Sequence, residues 1–185
     1  MKKSVLFHLS VLIFFAGCMA TNRVESVSTS KMEKNSRVGV IYFSNLSGYP
    51  NAGIVVAEAI TSLLYSLPIR IVESSRISEA VPEYRIIDLN DPLKLEYAGR
   101  KLHLDYIIYG YVEEYGYRSS GYGERSSPVI SFSVYIFDVK RKKIVYKGFF
   151  HTSSENVAGV GTDPLLLLLK DVTKWFYQDL KEKLF

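Results

Sequence analysis

The sequence predicts a single α/β domain with a mixed β-sheet flanked by helices, in the order βαβαβββα, preceded by a signal peptide and a flexible tether. Three observations predict it. A β-branched run, a helical stripe and a second short apolar run follow one another between residues 38 and 72, which is a parallel βαβ unit with a right-handed crossover. Two later apolar runs are joined only by residues 139–142, so they form an antiparallel hairpin. The chain has 185 residues, 48% of them hydrophobic, enough for one well-buried core and too few for two ordinary domains.

The first three residues are a short basic start, Val5 to Phe15 (VLFHLSVLIFF) is apolar, and Ala16-Gly17 are small. This is the three-part build of an export signal, and the apolar run falls short of the ~20 residues that a permanent membrane helix needs. Residues 1–17 are therefore expected to be removed. Residues 18–36 (CMATNRVESVSTSKMEKNS) are rich in Ser, Thr, Asn and charge, without a sustained apolar period. They read as a flexible tether that could stretch to roughly 60 Å at about 3.3 Å per residue, leaving residues 37–185 as the α/β domain.

Within that domain, Val38 to Phe43 (VGVIYF) has the continuous apolar character of a strand buried on both faces. Ser44 to Asn51 is a turn cluster, and residues 52–67 place Val56, Ile60, Leu63, Leu64 and Leu67 on a helical stripe that Pro68 ends. Ile69 to Val72 is the second strand; Ser75 to Val81 offers one or two helical turns, and Arg85 to Leu89 a brief extended piece. Asp91-Pro92 starts a helix with a capping carboxylate and proline at the first helical position, and this helix is expected to bury Leu93, Tyr97, Leu102 and Leu95. Strands follow at Tyr106–Tyr117, Val129–Asp138 and Lys143–Phe150. Asp163-Pro164 repeats the helix start, and Leu165, Leu168, Leu169, Val172, Phe176, Leu180 and Leu184 share one face of a long C-terminal helix.

The formal charge of +4 includes Lys2 and Lys3, and the remainder is too evenly mixed to suggest a nucleic-acid partner. After the leader, His103 and His151 are the remaining histidines, and neither has a neighbour at metal-ligand spacing, so no metal or other cofactor is expected. Glu113-Glu114 adjoin on a strand, where successive side chains point to opposite faces, so they are not expected to flank one bond as an acid–base pair. Gly159-Val160-Gly161 lacks a phosphate-loop motif and reads as a loop feeding a capped helix. No catalytic constellation is visible, and the chain is expected not to be an enzyme.

Tyr109, Tyr111, Tyr115 and Tyr117 are expected to alternate on one face of the long strand, with Arg118 and Tyr122 in the loop beyond. Such a stripe either packs under a helix or forms a protein-binding surface, since Tyr and Arg are enriched in interface anchors. The basic turn Lys140 to Lys143 (KRKK) reads as a solvated hairpin tip.

Two resemblances add to this. Phe15-Ala16-Gly17-Cys18 resembles a bacterial lipobox, with the single cysteine as the mature N-terminus. The alternative is a chance cysteine beside an ordinary cleavage site, but no second cysteine exists for a disulfide and an exported free thiol is a redox liability. The resemblance implies a diacylglyceryl thioether and an N-acyl chain on Cys18, and Met19 in place of Asp implies the outer membrane. Further on, Val38 to Gly53 (VGVIYFSNLSGYPNAG) and Leu104 to Glu113 (LDYIIYGYVE) resemble motifs of a superfamily that includes the TolB N-terminal domain, the curli-export lipoprotein CsgG and LpoB-type activators of penicillin-binding proteins. It implies a partner-binding, non-catalytic domain in which Ile41, Phe43, Asn45, Gly48 and Gly110 are structural. The expected protein is thus a periplasm-facing, outer-membrane lipoprotein that binds an envelope protein, or alternatively a subunit that self-assembles into a ring or sheath.

Overall fold

The computed structural model describes residues 21–81, 91–119, 126–154 and 163–185. Cys18, Tyr122, the leader, the extended piece at 85–89 and the glycines at 159–161 lie outside the described residues. The elements are β1 (Thr21–Ser28), β2 (Arg37–Val40), β3 (Ser44–Asn45), α1 (Ala52–Leu64), β4 (Arg70–Val72), α2 (Ser74–Ala80), α3 (Pro92–Lys101), β5 (Tyr106–Ser119), β6 (Ser126–Asp138), β7 (Lys143–Ser153) and α4 (Pro164–Leu184). They form one seven-stranded mixed sheet in the order β1-β7-β6-β5-β2-β4, with β3 pairing alongside β5. β2 is parallel to β4 and to β5, while β5, β6, β7 and β1 are an antiparallel series. The predicted βαβ unit and hairpin are both present.

Helices α1 and α4 cover one face. The α4 stripe Leu165, Leu168, Leu169, Val172, Phe176, Leu180 and Leu184 is entirely buried, as its 3.6-residue period requires. It packs with Val56, Ile60 and Leu64 of α1 over Ile108, Ile130, Phe132, Tyr146 and Phe150 of the sheet. A smaller second core lies under α2 and α3 on the opposite face, formed by Ile41, Val72, Ile77, Leu95, Ile107, Tyr109 and Phe137. Both α3 and α4 are capped by the aspartates expected, with Asp91 and Asp163 each accepting from the amide two residues on, at 2.9 and 3.0 Å.

Two expectations are corrected. The tether assigned to residues 18–36 holds a strand in its described part: β1 pairs with β7 from Thr21↔Ser153 to Ser28↔Tyr146, and Met32 is buried in the larger core. An edge strand takes its stability from one backbone ladder and needs few apolar side chains, so composition alone read it as a leash. The rotation of α3 also differs. Leu95, Ala98 and Gly99 face the core, whereas Leu93 is 74% and Tyr97 54% exposed. The small residues let Val139 approach the helix backbone, where a Cβ on Gly99 would collide with its side chain. Close approach rather than side-chain bulk decides this face.

A polar knot secures β1. Ser26 Oγ and Tyr146 Oη each donate to Asp179 Oδ2 at 2.6 Å, and Lys183 Nζ lies 3.0 Å from Asp179 Oδ1 and donates to the Ser26 carbonyl at 2.9 Å. Burial alone would raise the Asp179 carboxyl. The hydrogen bonds from Ser26, Tyr146 and Lys183, with the lysine's charge, outweigh it and hold the carboxyl below its ordinary 3.8. Burial, with the hydrogen bond to Asp179, pushes the Tyr146 hydroxyl far above 10.0. A depressed folded-state carboxyl contributes stability above its unfolded value and loses it as pH falls through the folded one. Stability should therefore fall on acidification below about pH 4, and Asp179→Ala should flatten that dependence. The variant should also cost about 1–3 kcal/mol at neutral pH through the orphaned Tyr146 hydroxyl, as read from urea unfolding at several pH values.

Candidate partner-binding surface

The residues singled out as a stripe begin on β5, and a β-bulge divides them. Val112 stands opposite Phe132 and Glu114 opposite Ser131, leaving Glu113 as the extra residue. One inserted residue reverses the face on which every later side chain lies. Tyr109 and Tyr111 consequently belong to the α3 side, where Tyr109 stacks on Tyr135 at 5.3 Å and Tyr111 meets Tyr135 edge-on at 6.2 Å. Tyr115 belongs to the α1/α4 side and packs against Tyr49 at 5.0 Å. The expectation of a single tyrosine face is corrected accordingly. Burial, followed by the neighbouring Tyr111 and Tyr135, raises the Tyr109 hydroxyl well above 10.0, so it stays protonated at any ordinary pH.

The bulge also corrects the reading of the two glutamates. Ser133 Oγ donates to Glu113 Oε1 at 2.5 Å, and Glu114 pairs with Arg118 while lying 3.7 Å from His151 Nδ1. Ser133 and His151 project from the face opposite Phe132 and Phe150, so both carboxylates reach that same face. Ser131 stands opposite His151 in the ladder. No group of three or more His, Cys, Asp or Glu side chains among the described residues could hold a metal. Sequence reasoning treated these glutamates as opposed; the signal for the bulge is the pair of charges that interrupts the alternation of Y-I-I-Y-G-Y-V-E-E-Y.

The strand–turn–helix opening behaves as the resemblance implies. Phe43 and Ile41 are buried, one in each core. Asn45 organises the following turn: its Oδ1 accepts from Ser47 N (3.1 Å) and Ser47 Oγ (2.7 Å), and its Nδ2 donates to the Tyr49 carbonyl at 2.6 Å. Gly48 adopts φ +74° at the tip.

Two concave regions border these tyrosines. One, of about 520 Å³, lies at the turn and is lined by Tyr49, Pro50, Glu113, Glu114, Tyr115 and Tyr117. The other, of about 490 Å³, lies between α3 and β7, with Tyr109, Tyr135 and Phe137 at its base and Lys142, Lys143 and Lys147 at its rim. Lys142 is paired with Glu96 at 3.0 Å. Between and beyond them, among the described residues, α2 and α3 lie on β2 and β5, and no described helix covers the α3 side of β6, β7 and β1. Phe149, His151, Lys147, Arg23 and Glu25 lie on that face, with Arg23 stacked over the Phe149 ring at 5.9 Å. This face was missed because its polar side chains alternate with core residues in strands read only for their apolar content.

The sequence matches no family model and no curated protein. The fold is that of several solved structures. PelC from Paraburkholderia phytofirmans, described as a dodecamer, superposes with a TM-score of 0.63 and 18% identity, covering 86% of this chain and 98% of that one. Lipoprotein GNA1162 from Neisseria meningitidis superposes at 0.55 with 16% identity, covering 80% of this chain and 99% of that one. The C-terminal domain of LpoB from Escherichia coli, which the sequence resemblance named, overlaps at only 0.48 with 12% identity and adds nothing to the assignment. Likeness at these identities is likeness of fold.

Proposed function

We propose that this chain is a non-enzymatic lipoprotein, fastened to the periplasmic face of the outer membrane through acylated Cys18, which binds a protein partner in envelope assembly, secretion or peptidoglycan synthesis. The observation that carries the docking half is the area of the sheet over β6, β7 and β1 that no described helix covers, with Tyr135 and Phe149 set among Lys147, Arg23 and Glu25. Aromatic anchors within a polar rim are the composition of a protein interface. The anchoring half rests on the lipobox-like segment and on the absence, among the described residues, of a helix long and apolar enough to cross a membrane. Two or more acyl chains suffice for a stable anchor.

Photo-crosslinking residues introduced in place of Phe149 and Lys147, in cells, should each give a discrete adduct with one envelope protein. Absence of adducts at both sites in the folded, membrane-recovered protein would remove the docking half. Self-assembly is the second reading, favoured by the fold shared with a dodecamer and by the place of β1 at the edge of the described strands, where Val24 and Val27 are exposed. The mass of the detergent-solubilised protein separates the two, since a stable monomer excludes a ring.

A further inference from the structure

The register of the sheet fixes which end of the domain lies nearest Cys18. Thr21 stands opposite Ser153, Ser153 opposite Val129 and Val129 opposite Gly116, so the start of β1 and the end of β5 share one row across four strands. Three inter-strand steps put Thr21 about 14 Å from Gly116. Cys18 precedes Thr21 by three residues, a reach of no more than about 11 Å. The basic hairpin lies at the opposite end: Lys143 is ten residues before Ser153 along β7, about 30 Å away.

Among the described residues, the end nearest Cys18 exposes several large apolar side chains. Tyr117 (48% exposed) follows Gly116 directly, and its hydroxyl donates to Asp163 Oδ1 at 3.0 Å, which sets it beside the first turn of α4 and Leu166 (57% exposed). Tyr49 (42%) and Leu46 (65%) come from the turn packed against Tyr115. A tyrosine with an apolar ring and a hydrogen-bonded tip, Tyr117, beside a second tyrosine and two leucines, suits the boundary between headgroups and acyl chains.

We infer that the end of the domain bearing Leu46, Tyr49, Tyr117 and Leu166 rests on the lipid surface that holds Cys18, and that the lysine hairpin points away from it. This rests on the lipid-anchor reading above. A lipid surface is favoured over a protein at this end because the link is too short to let another layer of protein pass between the patch and the anchor. The partner is then met through the sheet face over β6, β7 and β1 and the distal end.

The test uses the full chain recovered from bacterial membranes, with its intact mass measured, and reconstituted in phosphatidylethanolamine–phosphatidylglycerol vesicles. Single thiols introduced as Leu46→Cys, Leu166→Cys and Lys140→Cys carry a fluorophore, and nitroxide-bearing headgroups act as quencher. Quenching at positions 46 and 166 should exceed that at 140 by about threefold or more. Equal quenching at all three positions, or most at 140, overturns the seating while leaving the anchor in place. A mass showing unmodified Cys18 overturns the anchor and the seating with it.

Discussion

Phe176→Ala should destabilise the domain by about 3–5 kcal/mol and lower its melting temperature by roughly 10 °C. The ring is fully buried in the middle of α4, edge-on to both Tyr146 (6.2 Å) and Phe150 (5.6 Å), and Phe150 in turn stacks on Phe132 at 5.3 Å. This aromatic column joins α4 to β7 and β6, so truncation leaves a cavity that the flanking strands, locked in their ladder, cannot close. Calorimetry or urea unfolding would check it. A loss under 1 kcal/mol would mean that α4 can settle into the space. Phe176→Leu should recover most of the stability.

Gly110→Ala should cost about 3 kcal/mol. A Cβ at Gly110 would lie closer than 3 Å to the Ser133 carbonyl of β6 and 2.6 Å from the Phe43 ring. The carbonyl belongs to the β5–β6 ladder and cannot retreat without breaking it, and Phe43 is itself pinned by Phe132 at 6.3 Å. Gly48→Ala provides the comparison: nothing lies within 4 Å of the added methyl there, so only the backbone term of about 1 kcal/mol for a left-handed conformation remains. Chemical unfolding of the pair should rank them in that order, and the reverse order would discredit the packing argument.

Elements with a strong apolar period were legible in the sequence. Every residue assigned to the buried stripe of α4 is buried, and α1 and the β6–β7 hairpin follow their patterns because a 3.6- or 2-residue period is what a covered face imposes. What escaped was held by other means. β1 is secured by a backbone ladder and by Ser26 on Asp179, neither of which leaves an apolar trace. The α3 face is chosen by Ala98 and Gly99, whose value lies in what they omit. The candidate site was half legible: Tyr109, Tyr111, Tyr115 and Tyr117 were found as residues, but their grouping required knowledge of the bulge. The sheet face over β6, β7 and β1 is defined by where the described helices do not lie, which no local pattern encodes.

Glu113 has the character of a frameshift. On its N-terminal side, β5 presents Tyr106, Ile108 and Val112 to the larger core; beyond it Tyr115, an odd-numbered residue, takes over that duty. A single uninterrupted strand therefore serves two phases, with one surplus residue as the punctuation between them. Were Glu113 paired in the ladder like its neighbours, the even-numbered frame would run on, presenting Glu114 and Gly116 to the interior and turning Tyr115 and Tyr117 outward. Deleting it would only close the bulge and leave both tyrosines on their present face, so that face depends on one residue standing outside the ladder.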